Sequence, residues 1–283
     1  MTNRAADRLS QMALWILYAF TAAALIGYAT FGVHPGLMSE LPGAAKFYSY
    51  AFRFFSVSTI WIAFATLALF LTRAVGIKWL PAFAALYAIS LGSELSGTIT
   101  GLPFGEYRYS PLLEPMWLGH VPIVIPLSWF FMSVPSYALA RAVLPDSGRT
   151  RGQVVLLASA ILVSWDLSLD PAMSYATQYW MWGTSGSYYG MPWLNLVGWY
   201  VTGLALMIAL AALDADRWIA ALPIRWLGGF YLANLALPVG MNIAAGLWGA
   251  VLAAFAALAA AWVLARRLRA ADLRTAATLV SAG

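Results

Sequence analysis

The sequence predicts an all-α, polytopic integral membrane bundle of about eight transmembrane helices with both termini cytoplasmic. Three observations carry this prediction. Of 283 residues, 62% are apolar and only 10% are charged, whereas soluble domains are about half apolar and a quarter charged. Apolar stretches near the roughly 20 residues that span a bilayer core recur along the whole chain. The basic residues fall in short runs beside these stretches and on alternate connections, as they do when lysine and arginine mark the cytoplasmic side.

The expected spans lie near residues 12–33, 50–72, 79–99, 119–140, 153–171, 192–213, 225–240 and 243–265. The first follows a short basic N-terminus, as a signal peptide would, but its length and the many later spans favour an uncleaved helix. The last two form one apolar run interrupted by Pro238, Gly240 and Asn242, and charge decides between one helix and a tight hairpin. With eight spans the N-terminus, the even connections and the C-terminus hold 13 basic residues, Arg4, Arg149 and Arg274 among them, against 3 on the other face (Lys46, Arg53 and Arg108). With seven spans the division is 9 against 7, so the hairpin is preferred. Residues 1–283 read as a single membrane domain without internal repeats, and the net charge of +5 is accounted for by topology and not by nucleic-acid binding.

This orientation brings two connections, 100–118 and 172–191, to the non-cytoplasmic face. The first carries Gly101, Pro103, Gly105, Glu106, Tyr107, Arg108 and Tyr109; the second carries Trp180, Trp182, Gly183, Gly186, Tyr188, Tyr189 and Gly190. Glycines of this density permit tight turns and close backbone approach. An interfacial aromatic belt explains the same composition.

Only 11 residues are Asp or Glu, yet Glu94, Asp166 and Asp170 fall inside expected spans, where a charge costs roughly 2.5–3.5 kcal/mol on insertion scales. Asp166 and Asp170 are four apart, so a helix sets them on one face about 6 Å apart at Cβ. Two carboxylates that close resist ionising together. One then suits a general acid, and the other can orient or deprotonate a water. Structural roles compete for each residue: Asp170 ends a helix before Pro171, Asp166 pairs with Arg53, Glu94 makes a packing hydrogen bond near Gly97, Glu106 is an interfacial charge, and Asn195 caps a helix.

The chain has no cysteine and two histidines on separate segments, which leaves no thiolate or histidine-cluster metal site to predict. Dinucleotide and Walker fingerprints are likewise missing. The remaining enzymatic reading is acid–base chemistry without cofactor or metal on an apolar substrate, with water as co-substrate.

Several separate motifs within about 90–200 carry a resemblance. They are Glu94-Leu95-Ser96-Gly97-Thr98, the Gly101–Tyr109 stretch, Val121–Phe130, Asp166-Leu167-Ser168-Leu169-Asp170-Pro171, Tyr188-Tyr189-Gly190-Met191-Pro192 and Asn195-Leu196-Val197-Gly198-Trp199. In this order they resemble the membrane carotenoid 1,2-hydratases among the carotenoid biosynthesis proteins. The resemblance implies addition of water across the terminal C1=C2 bond of an acyclic carotenoid ψ-end, giving a tertiary alcohol. It makes Asp166 or Asp170 the expected proton donor, with the other carboxylate or Glu94 positioning water. Tyr107, Tyr109, Trp129, Trp165, Tyr188 and Tyr189 are expected to line the polyene end, with Glu106 and Asn195 as further binding candidates. A cation held over such rings gains about 0.5–2 kcal/mol. The expected partners are the carotenoid drawn from the lipid phase, water and membrane lipid, with no nucleic acid; association with other enzymes of the pathway is an expectation of the same kind. The expected location is the inner or plasma membrane. Rival readings are a proton-coupled transporter, a non-catalytic carotenoid-binding or assembly protein, and a lipid isomerase or cyclase.

Overall fold

Nearly every long apolar stretch becomes a helix, because in hydrocarbon the backbone must satisfy its own hydrogen bonds. The computed structural model describes residues 7–40, 43–144 and 150–281, without the side chains of 150 and 271–281. Arg4 and Arg149 of the charge count lie outside these residues, as does the Arg274 side chain. The long helices are α1 (Arg8–Gly27), α3 (Ala44–Val75), α4 (Leu80–Thr100), α5 (Ile125–Val143), α6 (Thr150–Asp170), α7 (Trp193–Ala212), α9 (Ile224–Ala244) and α10 (Trp248–Ser281). Two short helices, α2 (Pro35–Glu40) and α8 (Ala215–Ile219), sit in connections.

Among the described residues, six stretches are long and apolar enough to cross a membrane: Arg8–Gly32, Ala44–Thr100, Arg151–Tyr175, Trp193–Ala212, Ile224–Ala244 and Trp248–Ala270. The second is 57 residues long and contains both α3 and α4. The protein is therefore a multi-helix membrane protein. Helix α5 stands outside this set. Fourteen of its 19 residues are buried among other helices, so its environment is protein instead of lipid.

Helix α6 forms the axis of the bundle, packing against α5, α7, α9 and α10. Side chains from α9 track one face of it: Tyr231 donates to the Ile161 carbonyl at 2.8 Å, and Asn242 to that of Ser168 at 2.7 Å. Its Trp165 indole donates back to the Asn234 carbonyl at 3.2 Å. Another face meets α7, where a Cβ on Gly203 would touch Leu162 and Ser159 at 3.5 Å. Heptad-like spacing continues this face through Asp166 to Asp170. At its C-terminal end α6 loosens into a π turn, Pro171–Tyr175, a feature frequent at functional sites. A second π turn, Tyr28–Gly32, ends α1.

Two sequence expectations are corrected. The fourth helix starts at Ile125, not near 119, because Met116–Trp117 (β2) pairs antiparallel with Val121–Pro122 (β3); apolar strand residues look like helix in a hydropathy profile. The break before the last helix falls at Ala245–Leu247, with Gly246 at φ +73°, while Pro238 lies inside α9. Membrane helices tolerate proline when neighbours re-satisfy the backbone.

The remaining strands join the two motif-rich connections. Tyr107–Tyr109 (β1) pairs antiparallel with Trp180–Trp182 (β4) in the register Tyr107 to Trp182 and Tyr109 to Trp180. Strand alternation sends these four aromatic side chains to one face and Arg108 and Met181 to the other.

Candidate active site

The ribbon β1–β4 walls one side of a cavity of about 500 Å³, which Tyr107, Tyr109, Trp180 and Trp182 line. Beneath it two carboxyl groups reach the same space, Glu94 from α4 and Asp170 from the last turn of α6. Both are buried, 4% and 1% exposed.

Each carboxyl is held by a separate set of donors. Glu94 Oε2 accepts from the hydroxyls of Tyr107 and of Tyr109, the latter at 2.8 Å. Its Oε1 accepts from the Trp129 indole at 2.8 Å. Burial first, and then the charge of Glu94, hold both tyrosine hydroxyls well above the usual phenol range, so at neutral pH they remain donors. Asp170 Oδ1 accepts from Ser174 at 2.7 Å and from the Trp180 indole at 3.3 Å, and Oδ2 accepts from the Asn195 amide at 2.6 Å. One strand of the ribbon thus serves Glu94, and the other serves Asp170. Hydrogen bonds of this kind satisfy most of the lone pairs that burial would otherwise orphan.

Close approach of the backbone makes the arrangement possible. Gly101 ends α4 at φ +80°, a conformation glycine adopts without penalty, and turns the chain back toward α4. A Cβ on Gly97 would come within 2.9 Å of the Tyr107 hydroxyl. A Cβ on Gly198 would come within 2.6 Å of the Phe104 ring and the Pro103 carbonyl. Both helices therefore present bare backbone where the 101–109 loop sits down.

The floor is aromatic. Trp129 stacks on Trp199 with ring centroids 4.1 Å apart, and Trp165 meets Trp199 edge-on at 6.0 Å; all three line the cavity. Such pairs contribute about 0.5–1.5 kcal/mol beyond area burial and present π faces beside the carboxyls.

The structure therefore brings Glu94, Asp170, Tyr107, Tyr109, Trp129, Trp165 and Asn195 together around one cavity. It sets four other sequence candidates apart from that lining. Asp166, one helical turn deeper on α6, is 0% exposed, and its oxygens meet no hydrogen-bond partner among the described residues. Arg53, weighed as its partner, lies 3.6 Å from Glu114 instead, with both side chains largely exposed. Glu106 is exposed, its carbonyl accepting from the Gly183 amide at 2.7 Å. Tyr188 donates to the Leu167 carbonyl at 2.7 Å, and the Tyr189 ring packs on Tyr188 at 5.1 Å.

Sequence reasoning missed Trp180, Trp182, Trp199 and Ser174 as site residues. Alternate tryptophans in Trp180-Met181-Trp182 were the available sign of a strand with one inward face. Ser174 and Trp199 each lie four residues beyond a candidate, Asp170 and Asn195, at helical spacing.

Fold and site together define a multi-helix membrane protein with a pair of buried carboxyl groups facing an apolar, aromatic-walled cavity. The chain belongs to the carotenoid biosynthesis protein family, which it matches over residues 54–261. Among curated proteins, bisanhydrobacterioruberin hydratase of Haloarcula japonica is 35% identical over 122 residues, covering 43% of this chain and 41% of that protein. The similarity thus spans about two fifths of that relative's length. No solved structure matches the chain.

Proposed function

We propose that this protein is a carotenoid 1,2-hydratase that adds water to the terminal C1=C2 bond of an acyclic ψ-end. The observation that carries this reading is the pair of carboxyls, Glu94 and Asp170, sharing one aromatic-walled cavity. Family membership and the similarity to a bisanhydrobacterioruberin hydratase support the same chemistry.

In the proposed reaction one carboxylic acid gives a proton to C2, leaving a tertiary carbocation at C1 that water then captures. Asp170 is the proposed proton donor; the support for choosing it over Asp166 is that Asp170 lines the cavity and Asp166 does not. Glu94 is the proposed group that positions the water and takes its proton as the C1–O bond forms. A proton returned from Glu94 to Asp170 resets the site, and the net change is one water added. The rings of Trp129, Trp165 and Trp199 shelter the cation. No protein-bound cofactor enters this scheme. The protein is proposed to cross the inner or plasma membrane eight times with both termini cytoplasmic, which the 13-to-3 division of basic residues favours.

The test is Glu94→Gln and Asp170→Asn in cells that accumulate the unhydrated carotenoid. Both substitutions keep size and remove the acid. Hydration is expected to fall at least a hundredfold while membrane insertion is unchanged. Parental hydration by both variants would refute the assignment.

A further inference from the structure

The cavity does not end at the acids. From Glu94 and Asp170 it runs between α1 and α3, where Gly27, Ala51 and Phe55 line it, and its far end is bordered by Ile26 and Phe47. These last two are 68% and 73% exposed. Both belong to stretches long and apolar enough to cross a membrane, and at this end the cavity reaches exposed side chains on the flank of the bundle. The mouth is apolar and edged by small residues. Glycine and alanine leave room between two helices that further along are packed together, as where the Thr66 hydroxyl reaches the Ala13 carbonyl at 3.5 Å. The ribbon β1–β4 lines the cavity away from this mouth.

We infer that the cleft between α1 and α3 is a lateral portal through which the substrate's polyene enters end-first from the lipid. This inference rests on the proposed function for its substrate. Chemistry at one end group explains a cavity of this size: about 500 Å³ lies within the range of pockets for drug-sized ligands and holds the end of a long polyene, not all of it. The rest of the chain stays in the bilayer alongside α1 and α3. An apolar tail left in lipid incurs no cost of transfer into water.

Gly27 supplies a clean test, because a Cβ built there meets nothing within 4 Å. A side chain can therefore leave the backbone at position 27 without a clash at its Cβ, and a tryptophan there is chosen to fill the mouth. Gly27→Trp and Ala51→Trp are compared with Ile208→Trp, a lipid-facing position on α7 that is 57% exposed and outside the cavity lining. Each protein is purified in detergent from cells rich in an acyclic carotenoid, and the polyene absorbance retained per protein is read beside the mass of the product. The portal predicts at least a tenfold loss of retained polyene and of hydrated product in both plug variants, with Ile208→Trp at the parental level. Plug variants that retain parental polyene overturn the portal, and product formed by the parent then leaves the hydratase reading standing. Polyene retained by the parent and lost from the plugs, with no gain of water by any protein, upholds the portal and sinks the hydratase reading.

Discussion

Glu94 depends on three donors that come from two different elements, Tyr107 and Tyr109 on β1 and Trp129 on α5. A hydrogen bond to a charged group contributes about 1.5–3 kcal/mol, so deleting one hydroxyl from this set is felt at the carboxyl without opening a large cavity. Tyr107→Phe and Tyr109→Phe should each lower the hydration rate roughly tenfold to a hundredfold, with the protein still inserted and folded. Rates equal to the parent in both variants would remove these tyrosines from the machinery. Asp170 has the parallel set of Ser174, Trp180 and Asn195. At this scale the sequence was informative because a carboxyl at membrane depth is costly enough to demand a reason. Glu94 and Asp170 stood out on that ground alone. It could not say which of Asp166 and Asp170 reaches a cavity, since both lie on one helical face and differ only in depth.

Among the elements, the loop that carries β1 is seated by two helices that lack side chains where it lands. Gly198 on α7 is the tighter contact, with the Phe104 ring and the Pro103 carbonyl where a Cβ would be. Gly198→Ala should cost about 1–3 kcal/mol through overpacking; a thermal melt in detergent at the parental temperature would contradict this contact. The long helices occupy the apolar stretches read from the sequence, because a bilayer fixes their length and composition. Element boundaries were less legible where a different physical rule took over. Apolar residues at 116–122 pair as short strands, and hydropathy cannot distinguish the two. The ribbon β1–β4 joins segments some seventy positions apart in the chain, and nothing in local periodicity announces such a pairing. The wall formed by α1 and α3 was illegible for the same reason, since helices with apolar residues on every side do not declare which face meets a neighbour.

For the whole molecule, the proposed topology sets both ribbon strands on the non-cytoplasmic face and the α3–α4 turn on the other. The absence of native cysteines makes this directly testable with single substitutions at exposed positions. Ser187→Cys in the second connection should react with a membrane-impermeant thiol reagent added to intact cells, and Lys78→Cys should react only after the membrane is opened. The reverse pattern would invert the orientation. On this topology the carboxyls lie near the outer end of the bundle, and the proposed portal would bring an oily substrate to Glu94 and Asp170 from the side of α1 and α3.

The most direct test of the proposed hydration is isotopic. Membranes containing the protein are incubated with an acyclic carotenoid in water labelled with heavy oxygen, and the product is weighed. The account predicts a gain of one water per reacted end, with the label in the new tertiary hydroxyl. A product of unchanged mass, or a hydroxyl oxygen taken from dioxygen, would contradict it.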